Sequence, residues 1–552
     1  MAETTETTGE PGGRERPGRP GQAGGRLPKG FRDAEHGWPE LRRIPRPAHR
    51  LPLLGDVVGV DRRTPLQDSM RLGRELGPIF RRRAFGKEFV FVWGARYAAD
   101  LADESRFAKH VGLGVANLRP VVGDGLFTAY NHEPNWQLAH DVLAPGFSRE
   151  AMETYHGMML DVAARLTGHW DAELAAGRTV DVPGDMTKLT LETISRTGFG
   201  HDFGSFERDR PHPFVTAMIG TLTHAQRRNS VPGPLAPLLL RGANRRNEAH
   251  IAFLNRTVDG LVAARHGDGG GSGDLLDRML RTSHPGTGER LSAENVRKQV
   301  ITFLVAGHET TSGALSFALY YLARHPEIAA RARAEVDRVW GDTPAPGYDQ
   351  VAKLRYLRRV LDESLRLWPT APAYAREALQ DTVLAGEHPM RRGAWALVLL
   401  PLLHRDPEVW GEDAERFDPD RFDAKAVRGR APHTFKPFGT GARACIGRQF
   451  ALHEATLVLG LLLRRYELRP DPGYQLRVTE RLTVMPEGLR LGLDRRPAPA
   501  PSAASASASA SASASASASA VVPDDGAGRG ADGDSEPGSG SAAPCPVHGA
   551  GE

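Results

Sequence analysis

From Ser292 to the His325-Pro326 stop the chain offers a single long helix, and no other segment limits the fold as tightly. Ser292 can accept from an N–H of the first turn, and a helix does not run on through proline. At about 1.5 Å per residue the segment spans roughly 50 Å, enough to cross a whole domain. Its main part, Val300–Leu322, is apolar on most faces, which places it inside a core. Its centre reads Phe303-Leu304-Val305-Ala306-Gly307-His308-Glu309-Thr310-Thr311. Small and polar residues break an apolar run there, as expected where a buried helix passes a ligand cavity.

A second apolar helix is expected over Phe450–Leu463. Short β-prone runs at Phe89–Trp93 and Trp395–Leu400 predict a minor sheet. The class is therefore mainly α (α+β). Composition divides the 552 residues into three zones. Residues 1–45 are polar and rich in Gly, Pro and Arg, and are expected to be disordered. Residues 46–496 hold almost all the Trp, Phe, Leu and Ile and form the folded domain. Residues 497–552 open on Pro and Ala, continue as eight Ser-Ala pairs (Ser505–Ala520) and end acidic and Gly-rich. Gly267–Gly273 reads as a flexible loop.

The net charge of +4 gives no reason to propose a nucleic-acid partner. No apolar run is long enough for a membrane span, and neither a signal peptide nor a twin-arginine signal is recognisable, so a cytoplasmic protein is expected. With only Cys445 and Cys545, a disulfide framework is not expected.

Cys445 stands out by its setting, Phe438-Gly439-Thr440-Gly441-Ala442-Arg443-Ala444-Cys445-Ile446-Gly447. A Gly-rich loop presents the thiol just before a buried helix, where backbone N–H groups favour a thiolate. A second Cys or His at zinc spacing is missing, which argues against zinc. A single thiolate suits haem iron, to which it donates electron density that favours O–O cleavage. Phe438 can shield the sulfur, and Arg443 can pair with a haem propionate.

These ten residues resemble the cysteine loop of the cytochrome P450 superfamily, and the resemblance extends over about residues 46–490. Glu363-Ser364-Leu365-Arg366 resembles the family's Glu-x-x-Arg motif. The Phe417–Phe422 segment resembles the one that adds a third charged partner, here Arg421. The resemblance implies haem b (iron protoporphyrin IX), with Cys445 as iron ligand and dioxygen as co-substrate. It implies propionate contacts from Trp136, His140, Lys109 and Arg443. In the central helix it implies that Ala306 borders the substrate and that Thr310 and Glu309 form an alcohol/acid pair relaying protons. A helical Thr hydroxyl otherwise bonds its own i−4 carbonyl. His308 is read as a bystander, not an iron ligand.

Within the family, Gly123–Thr128, Leu367–Pro372 and Gln449–Gly460 resemble the haem domain of the self-sufficient bacterial fatty-acid hydroxylases. That branch implies subterminal hydroxylation of medium- or long-chain fatty acids, with Phe127 as an aromatic gate. Lys87 and Phe91 stand where the branch holds the carboxylate; the positive charge is kept, but not a forked guanidinium or a phenol. The fused flavin reductase of that branch is not recognised after Arg496. Electrons from NAD(P)H are therefore expected through a separate ferredoxin or flavodoxin and its reductase, docking near Lys436, Arg443 and Arg448. Alternatives are a monooxygenase acting on another hydrophobic small molecule, such as a secondary metabolite, a peroxide-driven enzyme, and a non-catalytic haem protein. Cys545 and His548 in the tail could bind haem or metal transiently; an inert end is the simpler reading.

Overall fold

The computed structural model describes residues 37–497, except 53, 57–60, 62, 209, 230, 232–234, 268–272 and 344. The expected disordered stretch up to residue 36, the loop around Gly267–Gly273 and the tail from residue 498 lie wholly or largely outside the described residues.

The helices that shape the site are, in chain order, α1 (Leu113–Ala116), α2 (Asn135–Leu143), α3 (Arg149–Ala175), α4 (Val182–Phe199), α5 (Pro213–Asn229), α6 (Ala236–Leu239), α7 (Arg241–Gly267), α8 (Ala293–Arg324), α9 (Pro326–Trp340), α10 (Arg355–Leu367) and α11 (Arg448–Arg465). The long helix of the sequence is α8. Ser292 caps it, accepting from the Asn295 N–H, and His325 ends it before Pro326. Most of its length is buried, because α4, α10 and α11 surround it. Its closest neighbour is α4, where the Thr190 hydroxyl donates to the His308 carbonyl at 2.9 Å. The helix expected after Cys445 is α11, which packs on α3, α8, α9 and α10. Gly460 makes its contact with α9 possible, since a Cβ there would lie 2.4 Å from the Trp340 ring.

The expected minor sheet has five strands: β1 (Ile79–Ala84), β2 (Lys87–Val92), β3 (Phe107–His110), β4 (Ala373–Ala378) and β5 (Trp395–Leu399), in the order β1-β2-β5-β4-β3. Only the β2–β5 pairing is parallel. A hairpin of β6 (Val478–Glu480) and β7 (Val484–Pro486) lies against α8.

The packed domain begins earlier than residue 46. Trp38, Leu41 and Ile44 are buried in the cluster containing Val90, Val92 and Val398, and the Trp38 indole donates to the Trp395 carbonyl at 3.2 Å. Three large apolar side chains in a polar stretch were enough to pay the ordering entropy that composition alone argued against.

Glu363 and Arg366, one turn apart on α10, form a fully buried bidentate pair at 2.6 and 2.7 Å. The remaining Arg366 donors reach the carbonyls of His404, Ala414 and Arg416. Glu363 Oε1 accepts from the Asp418 backbone N–H at 2.8 Å. Arg421 stands 3.7 Å from Glu363, beyond hydrogen-bond reach. It spends its donors on the Trp410 and Asp413 carbonyls, so the expected third charge is a neighbour and the strong third contact is a backbone amide. Glu363→Gln strips the charge from one side of a buried pair and is expected to cost about 3–5 kcal/mol of unfolding free energy, read by urea denaturation. A loss under about 1 kcal/mol would show that the carbonyls alone satisfy Arg366.

Candidate functional site

A cavity of about 310 Å³ lies between α8 on one side and the cysteine loop on the other. Ala306 and Thr310 line it from α8; Phe438, Arg443 and Cys445 line it from the loop. Its walls are mainly apolar, with Leu126, Phe303, Leu361 and Ala451 among them.

The loop's course is fixed by one bond within it and one to Glu104 outside it. The Cys445 N–H donates to the Phe438 carbonyl at 2.9 Å, and the Ala442 N–H donates to Glu104 at 2.9 Å. Gly441 has φ +68°, and a Cβ there would meet the Glu104 carboxylate. The loop is tied to the buried pair through His404, whose Nε2 accepts from the Lys436 N–H at 3.0 Å. That bond places the imidazole proton on Nδ1, and burial pushes the His404 pKa down to about 3.

Cys445 is accessible, yet its accessible face belongs to the cavity, deep in the fold. Burial pushes its pKa up; the Gly447 N–H and Arg448 act in the opposite direction and lose. A bound metal cation would favour the thiolate at this position, because it lowers the pKa of a coordinating thiol.

At the rim three cations converge. Lys109 on β3 and Arg376 on β4 are direct cross-strand partners, and both line the cavity with Arg443. Arg376 donates to the Leu101 and Phe107 carbonyls at 2.9 and 2.7 Å, with Glu104 and Asp103 acting on it from nearby. Burial, and then Arg443, push the Lys109 pKa down to about 7. Burial pushes Arg443 down to about 10 despite Glu133. Lys109 donates to the Phe127 carbonyl at 2.6 Å with its ammonium 4.8 Å from that ring. Arg443 stacks on Trp136 at 4.6 Å and donates to the Ala129 carbonyl, while its buried Nε has no partner. Trp136 and His140 stack on one face of α2 at 5.1 Å. Desolvated cations beside an orphaned guanidinium N–H suit a dianionic group, and a lone sulfur donor within the same apolar cavity suits a soft metal carried by it. Iron protoporphyrin, with two propionates, fits both. Arg376 was missed in the sequence; nothing in the strand Ala373-Tyr374-Ala375-Arg376-Glu377-Ala378 sets it apart from an ordinary exposed strand charge.

The structure brings Cys445, Phe438, Arg443, Lys109, Trp136, His140, Phe127, Ala306 and Thr310 to one cavity. The Thr310 hydroxyl donates to the Ala306 carbonyl at 2.8 Å, the self-bonded arrangement of a helical Thr, and its oxygen keeps acceptor capacity. Glu309 is not at the cavity. It accepts from Thr483 at 2.9 Å and Arg481 at 3.3 Å beside the β6–β7 hairpin, where an acid can be buried because donors meet it. His308 is buried away from the cavity and bonds its own helix at the Leu304 carbonyl, as a bystander does. Lys87 and Phe91 do not line the cavity either. Lys87 is exposed beside the β1–β2 turn, and Phe91 stacks on Phe80 at 5.0 Å.

The protein-family model described as Cytochrome P450 matches residues 45–491. The chain is 45% identical over 451 residues to a bifunctional cytochrome P450/NADPH–P450 reductase of Bacillus cereus, covering 81% of this chain and 42% of that protein. It is 45% identical over 455 residues to bifunctional cytochrome P450/NADPH–P450 reductase 2 of Bacillus subtilis, with 82% and 42% covered. A self-sufficient cytochrome P450 monooxygenase of Phanerodontia chrysosporium is 36% identical over 445 residues, with 80% and 42% covered. The chain thus spans about two-fifths of the length of these relatives.

Replacing Arg443 by Leu tests the cation cluster. Without haem the variant should be at least as stable as the parent, because a desolvated charge and its orphaned donor are gone. With haem it should lose about 1–3 kcal/mol of haem affinity, measured by transfer to apomyoglobin. Faster haem loss together with a destabilised apoprotein would instead make Arg443 a packing residue.

Proposed function

The chain belongs to the cytochrome P450 family, and from that membership we propose that it is a haem-thiolate monooxygenase inserting one oxygen atom of O2 into a C–H bond. The observation that carries this reading is the opposition of Cys445 to Ala306 and Thr310 across an apolar cavity rimmed by Lys109, Arg376 and Arg443. Those three cations, with Trp136 and His140, would hold the propionates, Cys445 would ligate the iron, and Phe438 would cover the sulfur. Bound with a thiolate donor, iron protoporphyrin supplies the oxygen-activating chemistry that side chains lack.

The residues of the chain then have three tasks. Leu126, Phe303 and their neighbours exclude water and bury a hydrocarbon, at about 0.8 kcal/mol per CH₂. Ala306 leaves room beside α8 for the reacting carbon. The Thr310 Oγ1 holds a proton within the cavity and passes it towards the reacting oxygen. Glu309, tied to Arg481 and Thr483, instead fixes the β6–β7 hairpin against α8.

The substrate is proposed to be a medium- or long-chain fatty acid, hydroxylated near its methyl end with Phe127 limiting its approach. Support comes from the apolar cavity and from the similarity to the fatty-acid hydroxylase branch. The positions of Lys87 and Phe91 favour a second reading, another hydrophobic small molecule, because the expected carboxylate contact is not in the cavity. Reductant is proposed to come from NAD(P)H through a separate ferredoxin or flavodoxin and its reductase. Behind the cysteine loop, Arg358, Arg430, Lys436 and Arg448 surround the single carboxylate of Asp362, an excess of positive charge suited to an acidic partner. Arg443 leaves that docking group, since it faces the cavity.

Three measurements test these proposals. Titration with fatty acids and with alcohols of equal chain length should shift the Soret band for both classes, and tighter acid binding, by about fivefold or more, is the result the fatty-acid reading requires. Thr310→Ala should keep oxygen uptake, lower product severalfold and release hydrogen peroxide; unchanged coupling removes Thr310 from the relay. NADPH should support turnover only after a ferredoxin or flavodoxin and its reductase are added; turnover with NADPH alone contradicts the separate partner.

A further inference from the structure

The segment that carries Phe127 is tied to α8 by a chain of side-chain amides. The Leu126 N–H donates to Gln299 Oε1 at 3.0 Å, and Gln299 Nε2 donates to Asn295 Oδ1 at 3.1 Å. Asn295 Nδ2 in turn donates to Asp124 Oδ1 at 3.2 Å. A carboxylate only accepts, so Asp124 fixes which way round both amides stand, and the acceptor at the far end is offered to Leu126. Asp124 is itself fixed: Asn135 donates to Oδ2 at 2.6 Å, and the Lys298 ammonium lies 3.2 Å from Oδ1. Burial pushes the Asp124 pKa up, but Asn135 and Lys298 outweigh it and hold the carboxyl below its ordinary range. The chain of amides therefore keeps its direction at neutral pH.

Gln299 and Asn295 are buried one turn apart on α8. A buried amide is costly unless bonded, and an aliphatic side chain would pack the helix without that cost. What the amides secure is a close approach. A Cβ on Gly123 would lie 2.4 Å from the Lys298 side chain, and one on Gly125 2.4 Å from Thr302 Oγ1. Directly after these glycines come Leu126 and Phe127, both lining the large cavity. The Phe127 carbonyl accepts from Lys109, so only the backbone torsions of Leu126 and Phe127 lie between two held groups. Lys109 is also the proposed partner of a propionate, whereas the Gln299 anchor is fixed at its other end by Asn295 and Asp124.

We propose that Gln299 is a positioning residue: through the Leu126 amide it sets where the Phe127 ring stands in the cavity, and thereby what shape of molecule the cavity admits. Gln299 does not line the cavity, so its effect passes through the backbone and not through contact with a substrate. The inference rests on the reading of Phe127 as the residue that limits approach, and adds to it the side chain that aims the ring.

The full haem-loaded chain is titrated with imidazole and with 4-phenylimidazole, both of which ligate haem iron and shift the Soret band. The ratio of the two affinities reports the room beside Phe127. Gln299→Met keeps the length of the side chain and loses the acceptor; it should change that ratio by about threefold or more, on the scale of one lost hydrogen bond. The Leu126 amide should also exchange with solvent faster than in the parent. With Phe127→Ala in place, Gln299→Met should change the ratio no further, because the ring it aims is gone. Should Gln299→Met not fold, Asn295→Ala, which frees the Gln299 amide one step back, is read in the same way. An unchanged ratio in Gln299→Met, where Phe127→Ala alone alters it, overturns the proposal. An equal change with and without the Phe127 ring also overturns it, since Gln299 is then a packing residue. If Phe127→Ala itself leaves the ratio unchanged, the reading of Phe127 has failed, and this inference falls with it.

Discussion

The Glu363–Arg366 pair fixes the frame in which the site is built. Burying two charges is costly, and this pair offsets the cost by satisfying almost every donor and acceptor it owns. The acceptors Arg366 finds, on His404, Ala414 and Arg416, belong to a stretch of connecting chain that could not hold its course through regular hydrogen bonding. His404 then presents its ring to the Lys436 amide, two residues before Phe438. The position of Cys445 is thus set from α10, some eighty residues earlier in the chain. A neutral pair could fill the same volume but could not bind three carbonyls from one point.

Two kinds of stability meet at the cavity. On the α8 side, contacts are satisfied: hydroxyls bond carbonyls one turn back, and Glu309 has its donors. On the rim, Lys109 and Arg443 are desolvated cations, and burial pushes the Cys445 pKa up. A fold optimised only for stability would remove that second set. Its presence around one sulfur, within a cavity of about 310 Å³, is what marks the cavity as a site and separates it from a packing defect.

Much of this was legible in the sequence. The central helix and its cap at Ser292 and the helix after Cys445 follow from helical periodicity and capping, whereas the grouping of Trp136, His140, Lys109 and Arg443 around one site was legible only through the family resemblance. What failed did so for tertiary reasons. Glu309 adjoins Thr310, but neighbours in a helix point about 100° apart, and where each one goes depends on a hairpin more than 160 residues later. Arg376 became visible only when the β3–β4 register set it opposite Lys109. Trp38, Leu41 and Ile44 were hidden because averaged composition discards isolated anchors.

The burial of Lys109 and Arg443 at the rim has a consequence for the kind of porphyrin the cavity would hold. Desolvation disfavours the charged form of both side chains, and an anion beside them would restore it. A porphyrin with esterified carboxyls would fill the same apolar volume and leave that cost in place. The rim thereby converts a local cost of the empty fold into a preference for a ligand that brings its own acids.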